Sequence, residues 1–199
     1  MISVKLVRGV YGGDEQKEMF ERLGEVSGEM GLLWYLGVST GFRVSDLLGL
    51  RYGDLTGEYL EILESKTGKR RRVRLLKGCR REVNKRREVY DSLITDYVFV
   101  SRKRNRPVSR QYVHRVLKRV GEEMGMDGIG SHSMRKTYAY NLLLRAKNVN
   151  VVQQFLNHKY MTTTILYLID GILYSLPKIG KNAIKPGFVD IKPHEKNRC

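Results

Sequence analysis

The chain has 199 residues, of which 41% are hydrophobic and 29% are charged, a composition typical of a soluble globular domain and unlike a disordered or fibrous chain. A chain of this length can bury a substantial core. Its 37 Lys and Arg residues outnumber its 21 Asp and Glu residues, so the net charge is +16. This excess indicates a polyanionic partner and leaves DNA, RNA, anionic lipid and the ribosome open.

Helices are predicted over residues 14–50, and in the first of them apolar residues recur at spacings of three and four. An amphipathic helix with an acidic outer face is predicted over residues 14–29. A mostly apolar segment follows, which predicts a buried helix that ends near Gly41. A second, short helix is predicted to carry Ser45, Asp46 and Leu47.

A β-hairpin is predicted next, with one strand over residues 58–64 and the other over residues 70–76. Gly68 lies between the two strands and suits the positive φ of a hairpin turn. The remainder is predicted to be helical, over residues 81–95, 109–125, 131–146, about 149–157 and about 162–169. The fold class is therefore mainly α with a small antiparallel β-sheet (α+β).

The chain is predicted to form a single domain over residues 1–176, followed by a C-terminal tail over residues 177–199 that is partly irregular. Within the predicted helix over 109–125, one stripe is apolar, formed by Val113, Val116, Leu117 and Val120. The tail contains three prolines, which do not suit a continuing helix.

Positive charge is concentrated in two basic zones. Residues 66–87 contain twelve Lys or Arg and one acid, and residues 102–119 contain eight Lys or Arg and no acid. The candidate nucleic-acid contacts in these zones are Lys69, Arg70, Arg72, Arg74, Arg102, Arg104, Arg106 and Arg110. Residues 66–87 contain no Phe, Tyr or Trp, which argues against an RNA or ribosome binder that stacks bases on aromatic rings.

Three stretches carry the main functional signal: TGFRVSDLLGLRYGDL at 40–55, SHSMRKTYAYNLLL at 131–144 and FLNHKYMTTTILYL at 155–168. In this order they resemble the three catalytic boxes of the tyrosine recombinase (integrase) family. The sequence KTGK at 66–69 lies where that family keeps an active-site lysine. The resemblance covers roughly residues 14–170 and implies the catalytic-domain fold of that family.

The resemblance implies a catalytic set that is matched residue by residue. In the third stretch, the matched histidine, His158, lies in LNH, where the family more often has LGH. The matched tyrosine, Tyr167, follows that histidine by nine residues. The implied reaction is attack on a DNA phosphate to give a 3′-phosphotyrosine and a free 5′-hydroxyl, with no metal or other cofactor. The matched residues are Arg43, Lys66, His132, Arg135, His158 and Tyr167.

The chemistry of these side chains agrees with the implied roles. Two guanidinium groups, from Arg43 and Arg135, suit the charged oxygens of a phosphate in phosphoryl transfer. A phenol with a pKa near ~10 needs a base or a cationic pocket to become a nucleophile, and His132 is the candidate base for Tyr167. Lys66 is the candidate acid for the leaving oxygen.

Each of these residues could also have a purely structural role. His158, the candidate hydrogen-bond donor to the phosphate, could instead stabilise a helix end through the helix dipole. Asp46 lies one turn after Arg43 and could be its charge partner, so a support role is predicted for it. Tyr160 and Tyr174 are rivals of Tyr167 among the chain's twelve tyrosines.

The predicted partners are double-stranded DNA, other recombinase subunits in a tetramer on DNA, and possible accessory DNA-bending proteins. The boxes begin about forty residues from Met1, so the N-terminal core-binding domain of typical integrases is not expected within this sequence, which is either a catalytic fragment or a naturally short recombinase. Two readings compete with the recombinase: a non-catalytic DNA-binding regulator of the same fold, and a type IB topoisomerase-like nicking-closing enzyme.

A reducing, cytoplasmic location is expected, because two cysteines form neither a disulfide framework nor a four-cysteine zinc site. No apolar stretch is long enough to cross a bilayer, and the N-terminus does not resemble a signal peptide. No metal site is expected, since no metal-ligand spacing is found for His114, His132, His158 and His194.

Overall fold

A computed structural model describes residues 7–101 and 106–175 of the chain. Its elements are α1 (Gly13–Val26), α2 (Gly28–Thr40), α3 (Val44–Leu48), β1 (Tyr59–Leu63), β2 (Arg70–Arg74), α4 (Lys77–Val89), β3 (Val100–Ser101), β4 (Arg106–Pro107), α5 (Arg110–Glu123), α6 (Ser133–Ala146), α7 (Val149–Phe155) and α8 (Met161–Ser175). The mainly helical α+β class is confirmed. Arg102, Arg104 and the predicted tail over 177–199 lie outside the described residues.

The predicted hairpin is present, and β1 pairs with β2 in an antiparallel register that places Leu63 opposite Arg70. Gly68 in the connecting turn has φ of 64°, as expected. A second antiparallel pair, β3 with β4, was not predicted. Its strands have two residues each, which is too short for an alternating pattern to be recognised.

Several helix boundaries differ from the prediction, and the helix predicted over 81–95 ends early, at Val89. The helix predicted over 14–29 ends at Val26, because the extended Ser27 accepts a hydrogen bond from the Met30 amide and begins α2 as its N-cap. Helix α4 begins at Lys77, earlier than predicted. Helix α8 continues to Ser175, beyond the predicted end at 169, because the isolated Gly171 is tolerated within a helix and the first proline beyond it is Pro177.

The larger core is built around α2, which contacts α1 most extensively and also α6 and α4. This helix is apolar on nearly all sides, and its Trp34 and Leu36 are completely buried. A smaller cluster joins α6, α7 and α8 through residues such as Leu142, Val152 and Leu168. Helix α6 contributes to both clusters, so its first turn lies where the two halves of the core meet.

Helix α5 confirms the predicted apolar stripe, since Val113, Val116, Leu117 and Val120 are all buried. The basic residues beside the stripe, Arg115, Lys118 and Arg119, are exposed. Within residues 7–101 and 106–175, no helix combines the length and the apolar character that crossing a membrane would require.

Helix α2 ends at Gly41, whose φ of 66° lies in the left-handed region. Its amide donates to the Gly37 carbonyl and closes the last turn. A Cβ at this position would overlap the ring of Tyr138 on α6. Glycine is therefore required here both for its backbone conformation and for the close approach of α6.

Replacing Gly41 with alanine is expected to destabilise the fold more than the same change at Gly68. Both residues have positive φ, so each substitution carries a backbone cost of about 1 kcal/mol. Only Gly41→Ala adds overlap with a buried ring, for about 1–3 kcal/mol more, because a Cβ at Gly68 meets no described atom. Denaturant unfolding of both variants measures the difference, and equal losses would contradict this account.

Candidate active site

The site is organised around the carboxylate of Glu64, which follows β1 and is completely buried. Three arginines from three parts of the chain surround it. Its Oε1 atom lies 3.1 Å from Nη1 of Arg43, 3.2 Å from Nη1 of Arg135 and 3.7 Å from Nη1 of Arg71. Burial alone would raise the pKa of Glu64, but the three guanidinium charges outweigh it and lower the pKa to about 2. Glu64 is therefore ionised at neutral pH.

Arg135 occupies the first turn of α6 and is almost fully buried. Its Nη1 donates to the Gly41 carbonyl at 2.8 Å and to Glu64, and its Nη2 donates to the Leu156 carbonyl at 2.7 Å. These carbonyls belong to the C-terminal ends of α2 and α7, where backbone oxygens lack helical partners. Arg135 thus joins two helix ends and places a positive charge between them.

Arg71 on β2 is a second buried arginine in the same place, and the prediction did not single it out. It donates to the carbonyls of Thr40 and Phe155, again at the ends of α2 and α7. Its guanidinium also lies 3.9 Å from the centre of the Phe42 ring. With these partners, Arg71 serves the fold and is directed away from solvent.

Arg43 immediately precedes α3 and is the most accessible of the three arginines, with 16% of its side chain exposed. Its ion-pair partner is Glu64 and not Asp46, the partner considered from sequence spacing. Asp46 instead accepts hydrogen bonds from the Ser65 amide at 3.1 Å and the Ser65 hydroxyl at 2.6 Å. It therefore ties α3 to the start of the hairpin turn that carries Lys66.

Lys66 is exposed in that turn, between the strands of the hairpin. The turn is held by the main chain of Glu64, whose backbone carbonyl accepts hydrogen bonds from the amides of Thr67 and Gly68. The Thr67 hydroxyl also donates to Oε2 of Glu64 at 3.0 Å. The same residue that pairs with the arginines thus shapes the turn from which Lys66 projects.

His158 follows α7 and is half-buried, with its Nδ1 atom 3.0 Å from the hydroxyl of Thr164 on α8. Burial, together with the charges of Arg135 and Arg43, lowers the pKa of His158 to about 4, so the ring is neutral at pH 7. If the Thr164 hydroxyl donates to Nδ1, the ring proton resides on Nε2, which is then free to donate to a ligand.

Tyr167 on α8 lies beside His158, with the two ring centres 5.4 Å apart in an edge-to-face arrangement. Its hydroxyl is buried and makes no hydrogen bond of normal geometry with the described residues. Burial raises the pKa of Tyr167 to about 12, while the nearby charges of Arg135 and Arg43 act in the opposite direction. The hydroxyl thus lies close enough to Arg135 and Arg43 for their charges to affect its pKa.

Helix α8 is held against α6 by a buried ion pair that the sequence did not reveal. Nζ of Lys136, the residue after Arg135, lies 2.5 Å from Oδ2 of Asp170, which is one turn beyond Tyr167. The same ammonium lies 5.5 Å from the centre of the Tyr167 ring. This pair fixes the position of the tyrosine along the α6 surface.

His132 precedes α6 at the solvent-exposed edge of the site. Partial desolvation is the largest cause that lowers the pKa of His132. The positive charges of Arg135, Arg43, Lys66 and Arg110 lower this pKa further. Its unprotonated form is favoured, as a proton acceptor requires. Arg110 is also one of the candidate DNA contacts. The surface formed by these contacts therefore extends to the edge of the site at His132.

The other described DNA-contact candidates line the hairpin and β4. Lys69, Arg70, Arg72 and Arg106 are exposed, and Arg74 is half-buried. On the hairpin, Arg70 pairs with Glu61 at 3.0 Å, and Arg72 lies 4.1 Å from the centre of the Tyr59 ring. Within the described residues, no group of three His, Cys, Asp or Glu side chains could hold a metal ion.

Comparison with known proteins places this arrangement in a family. The model of the phage integrase family matches residues 21–170. The chain belongs to that family. It is also 31% identical over 137 residues to a probable integrase/recombinase, YoeC, of Bacillus subtilis (strain 168), a match that covers 68% of this chain and 75% of YoeC.

Solved structures of the family share the fold. The crystal structure of XerA recombinase superposes with a TM-score of 0.69 at 23% identity, covering 88% of this chain and 66% of XerA. A lambda integrase tetramer bound to a Holliday junction gives a TM-score of 0.59 at 23% identity, covering 81% of this chain and 48% of the integrase. The chain thus spans about half to two thirds of these proteins.

The side chain of Thr164 is expected to set the tautomer of His158 in this family member. Thr164→Val keeps the shape of a fully buried residue but removes the hydroxyl that contacts Nδ1. Nitrogen NMR is expected to show His158 losing its single tautomer, with a stability loss of about 1 kcal/mol. Thr163→Val, at an exposed position one residue away, is the control. An unchanged His158 spectrum in Thr164→Val would refute the assignment.

Proposed function

We propose that this chain is a site-specific DNA recombinase that cleaves and rejoins strands through a 3′-phosphotyrosine at Tyr167. One observation carries the proposal. Arg43, Arg135, His158 and Tyr167 come from three separated stretches of sequence, and they gather at one buried carboxylate beside a basic surface. Such a gathering suits charge stabilisation in phosphoryl transfer.

In the proposed cleavage step, two proton transfers accompany the attack on phosphorus. The Tyr167 oxygen forms a bond to phosphorus as the bond from phosphorus to the 5′-oxygen breaks. His132 accepts the phenolic proton, and Lys66 donates a proton to the departing 5′-oxygen. Rejoining reverses both transfers with a 5′-hydroxyl as the attacking group, so the bond energy is kept in the covalent intermediate and no cofactor is consumed.

The protonation states in the free protein suit these roles. Tyr167, with its pKa raised to about 12, holds its proton at neutral pH and requires a base. His132, with a lowered pKa, is unprotonated and can serve as that base. His158, neutral at pH 7, can donate through Nε2 to a phosphate oxygen.

The proposed partners are double-stranded DNA and further copies of this chain, assembled as a tetramer on DNA. The lambda integrase structure is one such tetramer on a branched DNA. Accessory DNA-bending proteins and a cytoplasmic location are part of the same proposal. The exposed arginines of the hairpin and of α5 would contact phosphates, so affinity should fall steeply with added salt.

Covalent trapping tests the nucleophile. The wild-type chain, incubated with nicked or supercoiled DNA and quenched with detergent, is expected to yield a protein–DNA adduct. Tyr167→Phe should abolish the adduct, because the attacking oxygen is gone. Tyr160→Phe is the matched control, since Tyr160 is exposed and lies in the same region, and it should form adduct normally. Adduct formation by Tyr167→Phe would reject Tyr167, and salt-sensitive binding without any adduct would favour the non-catalytic regulator.

Replacing Arg43, the most accessible of the three arginines, should slow DNA cleavage more than it weakens DNA binding. Arg43→Gln is expected to slow adduct formation by about 10²–10³-fold, the usual effect of losing one preorganised charged donor. DNA affinity should fall only slightly, because many other cations remain on the basic surface. Arg70→Gln is the control, since Arg70 also pairs with a glutamate but is 80% exposed. Quench-flow trapping and gel-shift titration measure the two quantities, and equal effects of both variants would contradict the proposal.

A further inference from the structure

We propose that Glu64 is a positioning residue of the active site: an internal counter-ion that fixes Arg43, Arg135 and the Lys66 turn in the geometry that receives the scissile phosphate. The inference rests on the proposed function and adds a residue that touches none of the reacting atoms. It is carried by the contacts of one fully buried side chain.

The carboxylate joins four separate segments of the chain. Its Oε1 faces Arg43 before α3 and Arg135 on α6. Its Oε2 accepts from Thr67 in the turn at 3.0 Å and from the side chain of Asn157 at 3.3 Å, next to His158. Four of the six candidate catalytic residues thus either contact Glu64 or lie next to a residue that does.

Arg43 depends on this contact more than Arg135 does. Arg135 is also held by the carbonyls of Gly41 and Leu156, which would keep it in place without the carboxylate. Glu64 is the ion-pair partner of Arg43 among the described residues. Without it, an arginine that is 16% exposed would gain rotamer freedom at the moment it must bind phosphate.

Glu64 remains behind the arginines and does not occupy the phosphate position. It is completely buried, and its Oε2 accepts hydrogen bonds from the side chains of Thr67 and Asn157. Arg135 uses both protons of Nη1 and one of Nη2 in the described contacts, which leaves Nε and one proton of Nη2 for a ligand. A phosphate would therefore bind on the opposite side of the guanidinium groups.

A purely stabilising role is a weak explanation for this arrangement. Burying a carboxylate among arginines costs desolvation energy that often cancels the attraction, and apolar replacements of buried ion pairs can be neutral. The Glu64 contacts also involve the candidate catalytic residues, unlike the largely buried ion pairs Lys136–Asp170 and Arg86–Glu29. The arrangement is explained by the need to hold cations at fixed positions before DNA arrives.

The decisive variant is Glu64→Gln, which keeps the shape but removes the charge. Adduct formation in the trapping assay is expected to slow by about 10²-fold, because Arg43 loses its charged partner and is no longer held in place for the phosphate. Binding to the same duplex should be as tight as wild type or tighter, since one more positive charge is left uncompensated near the phosphate. A merely structural role would weaken binding and cleavage together, in proportion to the fraction unfolded.

The matched control is Glu61→Gln. Glu61 lies on β1 three residues earlier, and it also pairs with an arginine, Arg70, at 3.0 Å. Its side chain is 49% exposed, so the same charge change should leave adduct formation at the wild-type level, and binding should be as tight as wild type or slightly tighter because Arg70 loses its carboxylate partner. Glu64→Asp is the second variant. It keeps the charge and the fold but withdraws the carboxylate by one methylene, and about a tenfold slower cleavage with native binding is expected.

The outcomes separate the inference from the proposed function. Slower cleavage with undiminished binding in Glu64→Gln, or in Glu64→Asp if the glutamine variant does not fold, supports the positioning role. Wild-type cleavage in both folded variants overturns it while leaving the recombinase proposal intact. Absence of adduct from wild type and Glu61→Gln alike overturns both the recombinase proposal and the role derived from it.

Discussion

The attraction between one buried carboxylate and three arginines is the interaction on which the rest of the structure depends. A charged side chain without a partner is strongly disfavoured in a protein interior. Here Glu64, Arg71 and Arg135 are all buried: both arginines donate to backbone carbonyls at the ends of α2 and α7, and the Glu64 carboxylate forms ion pairs with both of them. Because a guanidinium group has five N–H donors, one arginine can bind the carboxylate and two helix ends together.

This arrangement makes the fold and the site inseparable at Arg135. The residue joins the C-termini of two helices and also faces Tyr167 and Glu64. Loss of its side chain would therefore open the junction between α2 and α7 as well as remove a proposed phosphate ligand. Arg43 differs because it is partly exposed and pairs with Glu64 alone among the described residues. For that reason, a substitution of Arg43 is expected to affect the proposed reaction with less effect on the stability of the fold than a substitution of Arg135.

Much of the fold follows from the sequence, because the helices are long and their apolar spacing is regular. The stripe on α5 and the turn at Gly68 were predicted correctly. The catalytic boxes were recognised by their order, and the site gathers residues from all three. The errors concern short elements and helix ends, such as β3 with β4 and the break at Ser27, where one or two residues decide the outcome.

Glu64 was missed although a signal for it exists. Along β1 and just beyond it, alternation places Leu60, Ile62 and Glu64 on one side of the strand, so an acid is directed toward the core. Sequence proximity instead suggested Asp46 as the partner of Arg43, since the two are three residues apart. The ion pair is formed across 21 residues of sequence, and no local pattern specifies such a contact.

The resting state of Tyr167 places a constraint on how DNA can be cleaved. The phenol is neutral in the free protein because its burial outweighs the pull of Arg135 and Arg43 on its pKa. An arriving phosphate brings negative charge, which offsets those arginines and favours the phenol further. A free phenolate therefore cannot accumulate before attack. In the proposed reaction, proton transfer to a base would therefore accompany formation of the bond to phosphorus, which is the role proposed for the unprotonated His132.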